Sequence, residues 1–146
     1  MRPVYLDYNA TTPIDSEVAA AVRPCLDEIF GNPSSAHIYG VQAREAVNGA
    51  REQVAKLLGC KPAEVIFTSG GTESNNFALK GAAFAAGHRG RHIITTAVEH
   101  PAVLNVFRHL ETKGFEASYL PVDEYAMVSP ATLERAIRQD TVLVSV

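Results

Sequence analysis

At 146 residues the chain is long enough for one domain with a real core, since a domain of about 150 residues buries roughly 70% of the surface its unfolded chain exposes. A hydrophobic share of 47% with 20% charged residues argues against disorder, and a net charge of -3 leaves no basic footprint for nucleic acid. No apolar run approaches the ~20 residues of a membrane span or serves as a signal peptide, so a cytoplasmic protein is expected. The two cysteines, Cys25 and Cys60, form no CxxC. They signal neither a disulfide framework nor a zinc site and are compatible with small buried apolar residues.

The elements follow in chain order. After a loop over 8–13, residues 15–30 read as a helix with Asp15 and Glu17 early, a kink at Pro24 and a stop at Gly31. Residues 34–58 read as a longer helix, because Ala43, Ala46, Val47, Ala50, Val54, Leu57 and Leu58 fall at helical spacing and Gly59 sits at the C-terminal cap. From Glu64 onward short apolar runs alternate with helices: a strand at 65–68, a helix at 72–86, a strand at 92–96, a helix at 101–113 and a strand at 117–120. A helix capped by Ser129 with Pro130 at its first position and a buried-type strand at 142–146 complete the series. The alternation predicts an α/β fold with a largely parallel sheet covered by helices on both faces, with no internal domain boundary. A buried-type strand with nothing after it predicts a truncated domain.

In such a sheet ligands bind at the carboxyl ends of the strands, which singles out the loops after Thr68 and Thr96. The run Phe67-Thr68-Ser69-Gly70-Gly71-Thr72-Glu73-Ser74-Asn75-Asn76 puts two glycines and a hydroxyl at the start of a helix. Glycines let a backbone approach a ligand closely, and unpaired amides at a helix start point at an anion, so the turn suits a phosphate. An ordinary tight turn with Thr72 as helix cap is the other reading. The sequence contains neither a Walker loop nor a GxGxxG. His100, between Glu99 and Pro101, either lies against a planar ligand and shuttles a proton or is structural. His37 follows Asn32-Pro33-Ser34-Ser35 near a helix start, and His88, His92 and His109 read as solvated.

Four segments in order resemble the cysteine desulfurases: Tyr5-Leu6-Asp7-Tyr8-Asn9-Ala10-Thr11-Thr12-Pro13, Gly31-Asn32-Pro33-Ser34-Ser35-Ala36-His37, the 68–76 run, and Glu99-His100-Pro101-Ala102-Val103. The resemblance covers essentially the whole chain but only about the first third of a family member. It implies an N-terminal segment plus the first part of the large cofactor-binding domain of a pyridoxal-phosphate-dependent transferase-like fold, fold type I. It further implies a homodimer that uses pyridoxal 5'-phosphate to convert L-cysteine to L-alanine. The sulfur would pass as an enzyme persulfide to an acceptor or scaffold protein, iron-sulfur cluster assembly being the usual destination. Carried over, Gly71 and Thr72 hold the cofactor phosphate, and His100 stacks on the pyridine ring and moves protons. Asn9 and His37 lie in family motifs without an assigned role.

The resemblance also implies residues that are absent. The family's Schiff-base lysine, the aspartate that pairs with the pyridine nitrogen and the nucleophilic cysteine are expected beyond Val146. None of Lys56, Lys61, Lys80 and Lys113 matches that lysine, and neither cysteine matches the sulfur acceptor. The chain alone is therefore expected to be inactive. A selenocysteine lyase or another β-eliminating relative, and a short noncatalytic binding or scaffold protein, are the competing readings.

Overall fold

The computed structural model describes residues 3–146. The chain packs as two compact units, one ending at Ile66 and the other spanning Phe67–Val146. Their division falls inside the run read as a first strand.

In the first unit Asp15 caps α1 (Ser16–Val22) by accepting from the Glu17 amide at 2.8 Å. The single kinked helix expected over 15–30 is instead two, because Pro24 starts a separate turn, α2 (Pro24–Asp27). A proline has no N–H to give and its ring collides with the carbonyl four residues back, so the ladder breaks there. α3 (Ile38–Leu58) starts later than position 34, with His37 as its cap, and ends on Gly59 in the left-handed conformation at φ 66°. Its buried face runs through Gly40, Ala43 and Ala55, whereas Leu57 and Leu58 are exposed. Gly40 is needed for close approach, since a Cβ there would sit 2.4 Å from the Ser35 carbonyl. Arg44 fastens the same loop from outside by donating to the Pro33 carbonyl at 3.0 Å. A 3-10 turn (Pro62–Glu64) follows, closed by the Lys61 amide on the Glu64 carboxylate at 2.7 Å. Cys25 is exposed and Cys60 half-buried, so neither fills the place of a small buried apolar residue, the reading with which the sequence is compatible.

The strand expected at 65–68 is not formed among the described residues. Val65 is extended and buried, whereas Ile66 and Phe67 are exposed. An apolar run supplies side chains for a strand but not the backbone partner that makes it one.

The second unit holds α4 (Gly71–Ala86), β1 (His92–Thr96), α5 (Pro101–Glu111), β2 (Glu116–Leu120), α6 (Pro130–Ala136) and β3 (Thr141–Ser145). The three strands form one parallel sheet in the order β2-β1-β3. Parallel crossovers are right-handed, so the step from β1 to β2 and the opposite step from β2 to β3 lay α5 and α6 on opposite faces. β1, sandwiched this way, is buried at every residue. Leu79 and Ala83 of α4, Ile93 of β1, Val103, Val106, Phe107 and Leu110 of α5 and Phe115 make the core. The expected α/β class is thus the observed one. β3 is only half-buried, and Ser129 precedes α6 without a side-chain capping bond; its carbonyl instead accepts from Thr132 at 2.9 Å.

His92 corrects the sequence reading outright. It is fully buried rather than solvated, while His88 and His109 are exposed as expected. Its Nδ1 meets the Thr141 hydroxyl at 2.7 Å and its Nε2 the Ser118 hydroxyl at 2.9 Å, so one ring joins all three strands. No described helix is long and apolar enough to cross a membrane, and no described group of three His, Cys, Asp or Glu residues is arranged to hold a metal.

Candidate functional site

The chain path brings both singled-out turns of the second unit to one end of the sheet. Residues 87–91 join the end of α4 to the start of β1, so α4 runs against the strands and begins at their carboxyl end. α5 begins where residues 97–100 leave the carboxyl end of β1. Open α/β sheets bind ligands along this edge.

The first turn precedes α4. Gly70 is the residue before the helix, nearly fully extended at φ 159° and ψ 179°, and no side chain caps the helix start. Thr72 is therefore the second helical residue and not the cap. The first bond back to the turn is the Ser74 amide on the Gly70 carbonyl at 3.1 Å. The amides of Gly71, Thr72 and Glu73 precede it and by helix geometry have no acceptor within the helix. A Cβ built on Gly70 or Gly71 would meet nothing within 4 Å, so no neighbouring side chain crowds the two glycines there. Gly71 and Thr72 are exposed. An uncapped helix start, a hydroxyl and uncrowded glycines fit a phosphate in donor type and in charge.

Two side-chain ties close this turn, and neither was read from the sequence. The Glu73 carboxylate accepts from the Ser69 amide at 2.6 Å and from the Ser69 hydroxyl at 2.7 Å. Those bonds, the amide first, hold the Glu73 carboxyl below the usual carboxylate range. The Thr68 hydroxyl donates to the Gly70 carbonyl at 3.2 Å and lies 2.6 Å from the Ser74 hydroxyl. A serine four residues before a glutamate at a helix start is one residue longer than the capping-box spacing, a signal available in the sequence.

The second turn ends on His100, which caps α5: its Nδ1 accepts from the Ala102 amide at 3.0 Å. With Nδ1 used as an acceptor, the neutral ring carries its proton on Nε2. The ring is exposed. Of the residues in the remaining motifs, His37 caps α3 through Nδ1 at 3.3 Å from the Gly40 amide, and Asn9 lies exposed in a turn. An open hollow of about 420 Å³ beyond β2 is lined by Pro121, Asp123, Met127 and Ser129. Its one carboxylate is taken by the amides of Tyr125 and Met127, at 2.9 and 3.0 Å, so this loop is its own scaffold and no acid-base pair faces the hollow.

Residues 4–146 match the model of the family described as Aminotransferase class-V. The chain belongs to that family. Among its members, a cysteine desulfurase IscS of Dictyoglomus turgidum is 56% identical over 145 residues, which are 99% of this chain and 37% of that protein. A cysteine desulfurase IscS of Methanosarcina thermophila is 52% identical over 99% of this chain and 36% of its own length. The chain thus spans little more than a third of the curated relatives it matches. In solved structures, a NifS-like protein superposes with a TM-score of 0.89 at 45% identity, covering 97% of this chain and 39% of that one. SspA in complex with cysteine superposes with a TM-score of 0.86 at 41% identity, over 96% and 40%. This class-V member therefore shares sequence and fold with cysteine desulfurases along nearly its whole length.

Proposed function

We propose that the chain is the N-terminal portion of a cysteine desulfurase, comprising the N-terminal segment and the first part of the large cofactor-binding domain. In this reading the full-length protein is a cytoplasmic homodimer that binds pyridoxal 5'-phosphate and converts L-cysteine to L-alanine. It passes the sulfur as an enzyme persulfide to an acceptor of the kind that feeds iron-sulfur cluster assembly. The observation that carries the reading is the open amide turn at 70–73 in a chain 56% identical to a cysteine desulfurase.

When bound, pyridoxal 5'-phosphate supplies an electron sink for bond cleavage at the substrate. The part of this chain is to hold and orient. Gly71 and Thr72 would offer their amides to the phosphate, the Thr72 hydroxyl would add a donor, and the dipole of α4 would favour the dianion there. His100 would face the ring of the cofactor; because its Nδ1 accepts from the Ala102 amide, the proton it would hold or move is the one on Nε2.

The test is the native protein that carries this sequence, purified and assayed for sulfide and alanine released from L-cysteine under reducing conditions. Equimolar products and bound cofactor are expected, and a protein that takes up no pyridoxal 5'-phosphate sinks the reading. In the same protein Thr72→Ala weakens cofactor binding by about 1 to 3 kcal/mol, the scale of a hydrogen bond to a charged group. Unchanged affinity would remove Thr72 from the phosphate site.

A further inference from the structure

We propose that Glu73 is a positioning residue for the phosphate turn: by gripping Ser69 through two hydrogen bonds, it fixes the glycines between them so that the first amides of α4 stay aimed at the ligand. The inference rests on the proposed cofactor site and concerns what holds that site in shape. Gly70 and Gly71 are the least restrained residues a turn can have. A Cβ at either would meet no neighbouring atom within 4 Å, and no side-chain bond caps the helix they introduce. Left to themselves, the amides of Gly71 and Thr72 would sample many directions, and an anion would have to order them on binding. The tie from Glu73 to Ser69 spans both glycines and Thr72. One of its bonds takes a main-chain amide, so it anchors the backbone itself and not only a side chain.

The direction of the carboxylate carries a second part of the argument. A carboxylate in the first turn of a helix is stabilised by the helix dipole and would compete with a phosphate for the same amides. Here both bonds go back to Ser69, so the negative group is engaged on the residue before the turn. The hydroxyl pair of Thr68 and Ser74 closes the same segment one position further out on each side. Glu73 therefore preorganises the donors without occupying them, and preorganisation lowers the ordering cost that binding would otherwise meet.

The experiment compares two ligands, pyridoxal 5'-phosphate and pyridoxal, on the native full-length protein and its variants. Glu73→Ala should weaken the phosphorylated ligand by about tenfold, the lower end of what loss of a supporting partner costs an anchored ligand, and leave pyridoxal unchanged. Glu73→Gln keeps an acceptor oxygen for the Ser69 amide and should restore affinity for the phosphorylated ligand to within about threefold of wild type. Should Glu73→Ala fail to fold, Ser69→Ala removes only the hydroxyl bond and should give a smaller loss, again confined to the phosphorylated ligand. Equal weakening of both ligands would show a merely structural role and overturn the proposal, as would unchanged affinity in Glu73→Ala. A wild-type protein that binds no pyridoxal 5'-phosphate fails the cofactor reading itself; normal wild-type binding with indifferent variants fails only the part given to Glu73.

Discussion

His92 has both ring nitrogens engaged by hydroxyls from the two neighbouring strands, and Thr141 in turn accepts from the Arg138 amide at 2.7 Å. A neutral imidazole, one nitrogen donating and one accepting, meets two hydroxyls without strain. Burial, chiefly, and then the Arg138 guanidinium hold its pKa below the ordinary histidine value, while Asp140 and Glu116 pull the other way. The ion pair of Arg138 with Glu116, 2.6 Å long and exposed at both ends, adds little by itself. In the unfolded chain this histidine titrates near ~6.5. As pH falls through that value the unfolded state takes up a proton that the folded state refuses, so stability falls; above it the contribution is fully present. Denaturation curves between neutral and mildly acid pH should show this loss, with a slope of at most about 1.4 kcal/mol per pH unit for one proton. His92→Gln should flatten the slope, and an unchanged slope in the variant would exclude His92 as its source. Nothing local announced the burial. Arg89 and Arg91 precede His92, and its partners lie 26 and 49 residues downstream, a distance over which a linear pattern carries no information.

Among the elements, those whose ends are written in local chemistry were the legible ones. Asp15 before α1, Gly59 after α3, Pro101 opening α5 and Pro130 opening α6 each act within one helical turn, so the sequence carries the whole cause. Residues 65–68 were misread because strand formation depends on a partner elsewhere. The Glu73 tie to Ser69 is local too, but its four-residue spacing falls one beyond the capping box and so outside that pattern. For α5 the cap also makes a prediction. His100→Ala removes the acceptor for the Ala102 amide and should cost about 1 kcal/mol of stability, whereas His100→Asn keeps a capping oxygen and should stay within a few tenths. Both lose the ring. Urea unfolding therefore separates the variants, while visible absorbance of the bound cofactor should fall in both. Asn as destabilising as Ala would remove the capping role, and undiminished absorbance would remove the ring contact.

At the scale of the whole molecule, the alternation of helices and apolar runs was enough for the fold class, but strand order was not, because it is set by which helix covers which face. Many large apolar residues stay exposed among the described residues, including Leu6 and Leu57 at 84%, Tyr125 at 77%, Leu26 at 76% and Ile14 at 73%. Where such residues lie together they make interaction surface. The 146-residue polypeptide on its own should accordingly self-associate as concentration rises, which size-exclusion with light scattering would detect; a monodisperse monomer throughout would contradict it. Borohydride reduction of that polypeptide with pyridoxal 5'-phosphate should give no stoichiometric product on Lys56, Lys61, Lys80 or Lys113, and it should release no sulfide from cysteine. Trapping with turnover would place the catalytic lysine inside this sequence. The strand order has one more consequence, for synthesis. The middle strand of the sheet is made first and completed last, since Thr141 leaves the ribosome 49 residues after His92. At about 5 to 20 residues per second that is a wait of several seconds, during which one edge of β1 stands without its neighbour. Translation speed between those two codons thus sets how long a nascent chain can mispair.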